Sequence, residues 1–255
     1  MKNRDILPGR ARPLIFGHRG FSEEAPENTM EAFSLCVERG VPGVELDVHI
    51  CASGELVITH DFSVKRVTGF DGIVEQMNYE QLRALDAGSF KAPTFKEAYI
   101  PLMEELFDTF GDSLYYDIEL KQSGFKDLGL ASSLFDLIRS YAMEDHCVVS
   151  SFNPFAVRSF RRVSGNRIPT AVIYCIDDQV PKLLQHGKGR YIAGCGFLKP
   201  HYSLIKERTF SIDHERRGYP MFAWTVNSEV EANRLIDLGV DGMIGNDPGM
   251  LKALL

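Results

Sequence analysis

The sequence predicts one α/β domain, a TIM (β/α)₈ barrel formed by residues 1–255 with a small insertion after the second strand, at about residues 51–100. Its 255 residues match the roughly 250 that such a barrel requires. Short β-branched and aromatic runs alternate with runs of helical period, and no shift in composition divides the chain. An open doubly wound sheet is the alternative, but the sequence has neither a G-x-G-x-x-G after the first strand nor a G-x-x-x-x-G-K-[ST] motif.

This alternation gives eight strands and eight helices. The strands are predicted at residues 14–17, 43–50, 113–121, 147–152, 169–174, 191–198, 221–226 and 242–244. The helices are predicted at residues 28–40, 102–110, 129–142, 154–163, 179–186, 204–217, 229–238 and 248–254. The first helix should have Asn28 as its N-cap, with Glu31 three residues later and Gly40 at its end. The segment at about 51–100 is far longer than an ordinary connection between a strand and a helix, which predicts an insertion.

Composition and charge indicate which kinds of partner the protein binds and in which compartment it works. The chain has 28 Lys and Arg against 35 Asp and Glu, a net charge of −7, so we expect no nucleic-acid binding. No run approaches the roughly 18 apolar residues of a spanning helix, which predicts no stable membrane insertion. The 5 cysteines are scattered, and the first residues lack the apolar stretch of a secretory signal. We therefore expect a cytoplasmic protein that acts on a small molecule, with no prediction for its oligomeric state.

Polar and apolar residues alternate along the second predicted strand. Glu45, Asp47 and His49 share one face, and the residues between them are apolar. Because helices cover the outside of a closed barrel, the apolar residues should face outward and the acidic residues should face the interior. Two neighbouring buried carboxylates repel each other unless they are paired or bind a cation. A half-exposed strand with a polar outer face is the simpler alternative.

The third predicted strand repeats this pattern. Asp117, Glu119 and Lys121 share one face, with Glu119 and Lys121 nearest the open end of the barrel and Asp117 one layer deeper as a supporting residue. Carboxylates from two strands with no cysteine nearby favour a hard divalent cation, Mg²⁺, Ca²⁺ or Mn²⁺. The sequence therefore predicts a metal site at the mouth.

Two pairs of residues follow short strand-like runs and point to proton transfer. His18 and Arg19 come directly after the first strand, and His60 and Asp61 follow a run at residues 56–59. Two histidines with near-neutral pKa values suit phosphodiester cleavage, in which one proton is removed and another is delivered. Arg19 and Lys121 would offset the acidic groups and hold an anionic substrate. Taken singly, each pair is more often explained as surface turn residues.

The chain resembles the glycerophosphodiester phosphodiesterase family over nearly its whole length. The resemblance rests on six ordered motifs: HRG at 18–20 with PENT at 26–29, E-x-D at 45–47, HD at 60–61, E-x-K at 119–121, WTVN at 224–227, and GVDG at 239–242 leading to NDP at 246–248. The sequence departs from the family where Gly245 and Asn246 precede Asp247, a position at which the family often has threonine. Asp247 before Pro248 is also a good helix N-cap.

The resemblance implies a TIM barrel that hydrolyses glycerophosphodiesters to sn-glycerol 3-phosphate and an alcohol. It implies one divalent cation, Mg²⁺ or Ca²⁺ with Mn²⁺ possible, and assigns the ligands to Glu45, Asp47 and Glu119. It assigns general acid and base catalysis to His18 and His60. The remaining roles are phosphate or substrate contact for Arg19, Lys121 and Trp224, and orientation of the catalytic groups for Glu27, Asn28 and Asp61. The insertion is expected to shape the glycerol end of the pocket.

Other functions remain open to the sequence. A lysophospholipase D-like or cyclising phosphodiesterase acting on lysolipids would need an apolar groove beside the mouth, to which Phe62, Phe70 and Phe90 would contribute. A silent module that only binds a phosphate headgroup is a remote alternative, because binding alone needs no pair of histidines. The sequence leaves open whether water attacks directly or the glycerol 2-hydroxyl first forms a cyclic phosphate.

Overall fold

Eight parallel strands form a nearly closed barrel. The structure, a computed structural model, describes residues 6–7, 12–125, 128–178 and 180–255. The strands in these residues are β1 Leu14–His18, β2 Gly43–Ile50, β3 Leu56–Ile58, β4 Tyr115–Leu120, β5 Cys147–Ser151, β6 Thr170–Tyr174, β7 Phe197–Pro200, β8 Phe222–Ala223 and β9 Gly242–Gly245. The parallel order is β7-β6-β5-β4-β2-β1-β9-β8, and isolated bridges next to β7 and β8 bring the two edges together. The predicted TIM barrel is confirmed.

Helices follow most of the strands and cover the outside of the barrel. They are α1 Met30–Glu38, α2 Lys65–Thr68, α3 Tyr79–Arg83, α4 Met103–Phe110, α5 Leu130–Ser140, α6 Pro154–Val163, α7 Arg190–Ala193, α8 Glu207–Phe210, α9 Glu229–Leu238 and α10 Pro248–Ala253. No helix in the described ranges is long and apolar enough to cross a membrane.

Alternate residues of the barrel strands point to two different sides, and the apolar ones pack in an outer and an inner core. Val44, Leu46 and Val48 of β2 pack in an outer core that includes Phe33 of α1 and Leu106 of α4. The inner core fills the barrel with Leu14, Phe16, Tyr115, Val148, Ala171, Phe197, Phe222 and Ile244, below which lie Ile6 and Leu7. Because successive strand residues point to opposite faces, the acidic residues of β2 and β4 share the inward face. The predicted inward direction of these acids is confirmed.

The predicted insertion lies between β2 and α4 and has a small core of its own. β3 pairs antiparallel with β2, with Val48 opposite Ile58. Short helices α2 and α3 follow. They pack around a third buried cluster made of Cys51, Val57, Val64, Val74, Met77, Leu82, Ala87 and Ile100. This segment therefore extends the barrel wall at the side of β2 and is held there by a strand as well as by apolar contacts.

The prediction for residues 179–198 is wrong. Gln179 lies outside the described residues, residues 182–186 form turns rather than a helix, and the helix is instead α7 at Arg190–Ala193. The strand begins at Phe197, not at residue 191. Gly187 and Gly194 have φ of 69° and 65°, a left-handed conformation that interrupts both helix and strand. Apolar residues between these glycines imitate a strand in sequence without forming one.

Three smaller predictions also need correction. The N-cap of α1 is Thr29, whose Oγ accepts from the amide of Ala32, and not Asn28. Asn28 has φ of 57° and turns its side chain towards Asp47 instead. The predicted strand at 221–226 is reduced to the two residues of β8, and the predicted helix at 204–217 divides into α8 and a π-helical turn, Ser211–Arg216.

A buried ion pair crosses the inside of the barrel below its open end. Lys199 of β7 lies 2.8 Å from Asp117 Oδ2 and donates to Asp117 Oδ1 at 2.9 Å and to Ser150 Oγ at 2.9 Å. Both charged side chains are almost completely inaccessible to solvent, at 1% and 0% exposure. Asp117 is therefore a supporting residue one layer below the mouth, as expected, and its charge is offset by Lys199.

Replacement of Lys199 by methionine should strongly destabilise the protein. It leaves the Asp117 carboxylate buried without its cation, which typically costs about 3–5 kcal/mol. Denaturant unfolding of Lys199→Met should show this loss, whereas Lys188→Met, on the exposed surface, should change stability by less than about 0.5 kcal/mol. Equal stability of Lys199→Met and the unmodified protein would contradict a structural role for this pair.

Candidate active site

The predicted site residues meet at the carboxyl ends of the barrel strands. His18 ends β1, Glu45 lies on β2, Glu119 lies on β4, and His60 follows β3. Together with Arg19 they line one cavity whose other walls come from Phe152, Ile173, Lys199, Trp224 and Ile244. Functional sites of such barrels lie at this end, where the strand-to-helix loops converge.

A larger cavity, of about 420 Å³, lies at the opposite end of the barrel. It is lined by residues at or just before the amino ends of β6, β7 and β8, including Thr170, Phe197 and Pro220. None of the predicted site residues lines it. Although this cavity is larger, the candidate site is therefore the one at the mouth of the barrel.

Three buried carboxylates form the centre of the site. One oxygen from each of Glu45, Asp47 and Glu119 lies within 4.8 Å of the other two. The parallel register of β2 and β4 sets Asp47 beside Glu119, and strand alternation brings Glu45 to the same face. The expected gathering of acids from separate strands is present.

The surroundings shift the pKa values of Glu45 and Asp47 in opposite directions. Burial, and then the neighbouring Asp47, raise the pKa of Glu45 well above its usual range. Burial alone would also raise the pKa of Asp47, but Lys121, His60 and Arg19 hold it well below the usual range. A group of close carboxylates with this much mutual repulsion suits a divalent cation.

Two cationic side chains and two amide groups contact the acidic cluster directly. Lys121 Nζ lies 2.8 Å from Glu119 Oε1 and 3.0 Å from Asp47 Oδ1. Arg19 Nε lies 3.5 Å from Asp47 Oδ2, and the backbone amide of Arg19 donates to Glu45 Oε2 at 3.2 Å. Asn28 Nδ2 donates to Asp47 Oδ2 at 2.8 Å. These contacts fix the carboxylates and place positive charge beside them.

Arg19 and Asn28 are both held in the left-handed backbone region. Their φ angles are 58° and 57°, and the amide of Asn28 donates to the carbonyl of Arg19 at 2.9 Å. Non-glycine residues in this region cost of order 1–3 kcal/mol unless surrounding contacts hold them, and they concentrate at functional sites. Here the strained turn aims the amide of Arg19 at Glu45 and the side chain of Asn28 at Asp47.

Each of the two histidines has one ring nitrogen engaged by a neighbour. His18 Nδ1 donates to Asn246 Oδ1 at 2.7 Å, and His60 Nδ1 donates to Asp61 Oδ1 at 2.6 Å. Both rings line the cavity. Burial, together with the positive charge of Arg19, lowers the pKa of His18 to about 4. His18 is therefore neutral near pH 7.

His49 supports His60 from inside the barrel. The ring of His49 lies with Nε2 3.4 Å from the carbonyl oxygen of His60, and Phe62 packs edge-on against it with ring centroids 5.0 Å apart. His49 was identified in the sequence only as a third member of the inward face. The structure shows that this face continues past the acids and reaches the loop that carries the second histidine.

Trp224 forms a wall of the cavity. Its Nε1 donates to the carbonyl of Lys199 at 2.8 Å, and the rings of Phe152 and His201 contact it edge-on, each with centroids 5.4 Å away. The indole is thus fixed by a hydrogen bond and two aromatic neighbours. This arrangement gives the cavity an apolar side opposite the carboxylates.

Sequence reasoning missed three residues that contact the site. Asn246 was noticed only as a departure from a family pattern, yet it holds His18. Lys199 lies just after the predicted end of its strand and lines the cavity floor. Arg66 of α2 binds Glu27 and Asp61, both of which were predicted to orient catalytic groups. Only Asn246, through its odd position before Asp247, gave any signal in the sequence.

The family model described as the glycerophosphoryl diester phosphodiesterase family matches residues 18–250. The chain belongs to this family. A glycerophosphodiester phosphodiesterase of Caldanaerobacter subterraneus subsp. tengcongensis is 30% identical over 258 residues, covering 96% of this chain and 98% of that protein. A putative glycerophosphodiester phosphodiesterase of Bacillus subtilis is 33% identical over 237 residues, covering 93% and 96%. The resemblance found in the motifs is confirmed.

Solved structures of family members share the barrel. A phosphodiesterase of Oleispira antarctica, solved in complex with the product sn-glycerol-3-phosphate, has a TM-score of 0.84 and 27% identity, and the match covers 94% of this chain and 96% of that one. A putative glycerophosphodiester phosphodiesterase of Galdieria sulphuraria has a TM-score of 0.82 and 25% identity, covering 95% and 97%. Similarity of fold therefore extends over nearly the whole chain.

Acid should destabilise the fold through its buried histidines. Burial, and then Lys121, lower the pKa of His49 to about 4, against about 6.5 in the unfolded chain. Between these pH values the unfolded chain binds a proton that the folded protein does not, so the free energy of unfolding falls as pH falls from about 6.5 to 4. His49→Gln should make this fall shallower in urea unfolding measured across that range. His186→Gln, on the exposed surface, is the control, and an unchanged slope in His49→Gln would contradict the assignment.

Proposed function

We propose that this chain hydrolyses glycerophosphodiesters to sn-glycerol 3-phosphate and an alcohol, with one divalent cation and two histidines. The observation that carries the proposal is the cavity at the barrel mouth, where three clustered carboxylates and two histidine rings converge. Membership of the glycerophosphoryl diester phosphodiesterase family, and a structural neighbour solved with sn-glycerol-3-phosphate, support the substrate class.

The acidic cluster fits a hard cation. Glu45, Asp47 and Glu119 offer only oxygen atoms, which Mg²⁺, Ca²⁺ and Mn²⁺ prefer, and one oxygen from each can approach a single ion. Burial, and then the neighbouring Asp47, raise the pKa of Glu45, so its negative charge is unfavourable there unless a cation lies close to it. A bound ion would act as a Lewis acid that stabilises the negative charge of the phosphate oxygens.

The flanking cations of the chain would hold the phosphate. Three carboxylates and one dication leave a negative charge, which repels an anionic substrate. Lys121, beside Asp47 and Glu119, and Arg19, which lines the cavity, supply positive charge on the side where the phosphate would bind. The planar guanidinium of Arg19 also suits two phosphate oxygens.

The two histidines would exchange the protons of the reaction. One Nε2 would take the proton of the attacking hydroxyl, and the other would give a proton to the departing alkoxide. Asn246 and Asp61 hold the Nδ1 atoms and so keep each Nε2 turned to the cavity. Trp224 would pack against the apolar part of the substrate. A cyclic glycerophosphate in quenched reactions would distinguish attack by the glycerol 2-hydroxyl from direct attack by water.

Hydrolysis should depend on a divalent ion held by the acidic cluster. We expect chelation to abolish release of sn-glycerol 3-phosphate and addition of Mg²⁺, Ca²⁺ or Mn²⁺ to restore it. Glu119→Gln should weaken ion binding, measured by calorimetry, by at least about tenfold. The assay compares glycerophosphocholine, glycerophosphoethanolamine and lysophosphatidylcholine at each ion concentration. Full turnover in excess chelator, with no ion retained by the protein, would rule out this role.

Loss of either histidine should remove turnover and leave the fold intact. His18→Ala and His60→Ala should each lower kcat by about 10²–10⁴-fold, the range for loss of a general acid or base. Thermal unfolding should change little for the partly exposed His60. His146→Ala, at the amino end of β5 and far from the mouth, should retain kcat. Turnover close to the unmodified rate in His18→Ala would contradict its assigned role.

A further inference from the structure

Arg66 joins two segments that carry the proposed reaction groups. It lies on α2 in the insertion, and its guanidinium donates three hydrogen bonds. Nη1 and Nη2 bind the two carboxylate oxygens of Glu27 at 2.9 Å and 2.7 Å, and Nε binds Asp61 Oδ2 at 2.6 Å. One planar group is therefore fixed between two carboxylates that lie 34 residues apart in the chain.

Each of these carboxylates also holds a residue that lines the cavity. Glu27 Oε1 accepts from Arg19 Nη1 at 2.7 Å, and Asp61 Oδ1 accepts from His60 Nδ1 at 2.6 Å. A continuous chain of contacts thus runs from Arg19 through the guanidinium of Arg66 to His60. The first of these side chains would bind phosphate and the second would transfer a proton.

Arg66 also affects the ionisation of Glu27 and the orientation of Asp61. Burial alone would raise the pKa of Glu27, but its hydrogen bonds to Arg66 and the charge of Arg19 lower it, so Glu27 stays ionised. Without Arg66, the whole charge of Glu27 would act on Arg19 and draw that guanidinium away from a phosphate. Asp61 would likewise keep only the ring of His60 as a partner and become free to turn with it.

We infer that Arg66 is a positioning residue, through which the insertion fixes the side chain of Arg19 relative to the ring of His60. This inference rests on the proposed function. The insertion would then orient Arg19 and His60 as well as shape the pocket. A bidentate fork and a third donor are needed, so a lysine at position 66 cannot reproduce the arrangement.

A merely structural role does not account for these contacts. The side chain of Arg66 is 45% exposed, and exposed ion pairs contribute about 0–1 kcal/mol to stability. Lys65, the preceding residue on the same helix, makes an equivalent surface pair with Asp71 at 3.3 Å, with both side chains more exposed. Neither Lys65 nor Asp71 lines the cavity, and their ion pair lies outside the contacts that join Arg19 to His60, which makes Lys65 the matched control.

The test compares Arg66→Ala, Arg66→Lys and Lys65→Ala with the unmodified enzyme on glycerophosphocholine in the presence of Mg²⁺. We expect Arg66→Ala to lower kcat/KM by about 10–100-fold, as loss of residues that orient catalytic groups typically does. Arg66→Lys should recover only part of this loss, and Lys65→Ala should stay within about twofold of the unmodified enzyme. Circular dichroism and thermal unfolding check that each variant is folded.

Chemical rescue separates positioning from folding. Millimolar guanidinium chloride should restore part of the activity of Arg66→Ala, because the half-exposed position admits a free guanidinium ion. Sodium chloride at the same concentration should not restore this activity. Guanidinium should also fail to restore the double variant Glu27→Gln/Arg66→Ala, because that variant lacks the bidentate acceptor. Guanidinium is a denaturant, so a variant defective only in folding would gain nothing from it.

The outcomes are distinct. A folded Arg66→Ala with unchanged kcat/KM overturns the inference, as does a loss that guanidinium leaves unchanged. If Arg66→Ala does not fold, full activity of Arg66→Lys overturns it. If the unmodified enzyme with added divalent ion releases no sn-glycerol 3-phosphate from any glycerophosphodiester, the proposed function fails instead.

Discussion

The enclosure of four acidic side chains within one barrel is the constraint on which the rest of the structure depends. The register of β2 and β4 places Glu45 beside Asp117 and Asp47 beside Glu119, all facing inward. The interior offers little water to separate such charges, so each carboxylate requires a cation, a hydrogen-bond donor or a proton. The lower acid, Asp117, has Lys199 as its cation. The upper three acids share two cations, Lys121 and Arg19, and Glu45 accepts from a backbone amide. This difference in level separates the supporting acid from the candidate metal site.

The acidic excess at the mouth would couple binding of the proposed ion to binding of the substrate. Lys121 serves both Asp47 and Glu119, while Glu45 receives a backbone amide and a strongly raised pKa. A dication would relieve this repulsion, whereas a phosphodiester alone would increase it. The cation should therefore bind before the substrate or together with it. The same charges that make the cluster costly to fold are those that favour a metal ion.

The inward face of the barrel was predictable because alternation along a strand is a local property. Polar residues at every second position of residues 45–49 and 117–121 predicted which side chains would meet, and the structure brings them together. Prediction failed at residues 179–198, where apolar residues between glycines imitate a strand and the true strand starts at Phe197. It also placed the cap of α1 at Asn28, because a good capping residue is equally good at binding a buried carboxylate.

Partners across the barrel could not be predicted, for a physical reason. Periodicity shows which face a side chain occupies, but the residue that meets it comes from a strand or loop that the sequence does not pair with it. Asn246 is 228 positions from His18 and Lys199 is 82 positions from Asp117, so the local sequence of either segment does not show these pairings. A buried acid nevertheless implies that a donor or cation must exist somewhere on the inward faces. The partners of Arg66 are equally absent from local sequence patterns, because it reaches Glu27 and Asp61 together only when the insertion folds back onto β2.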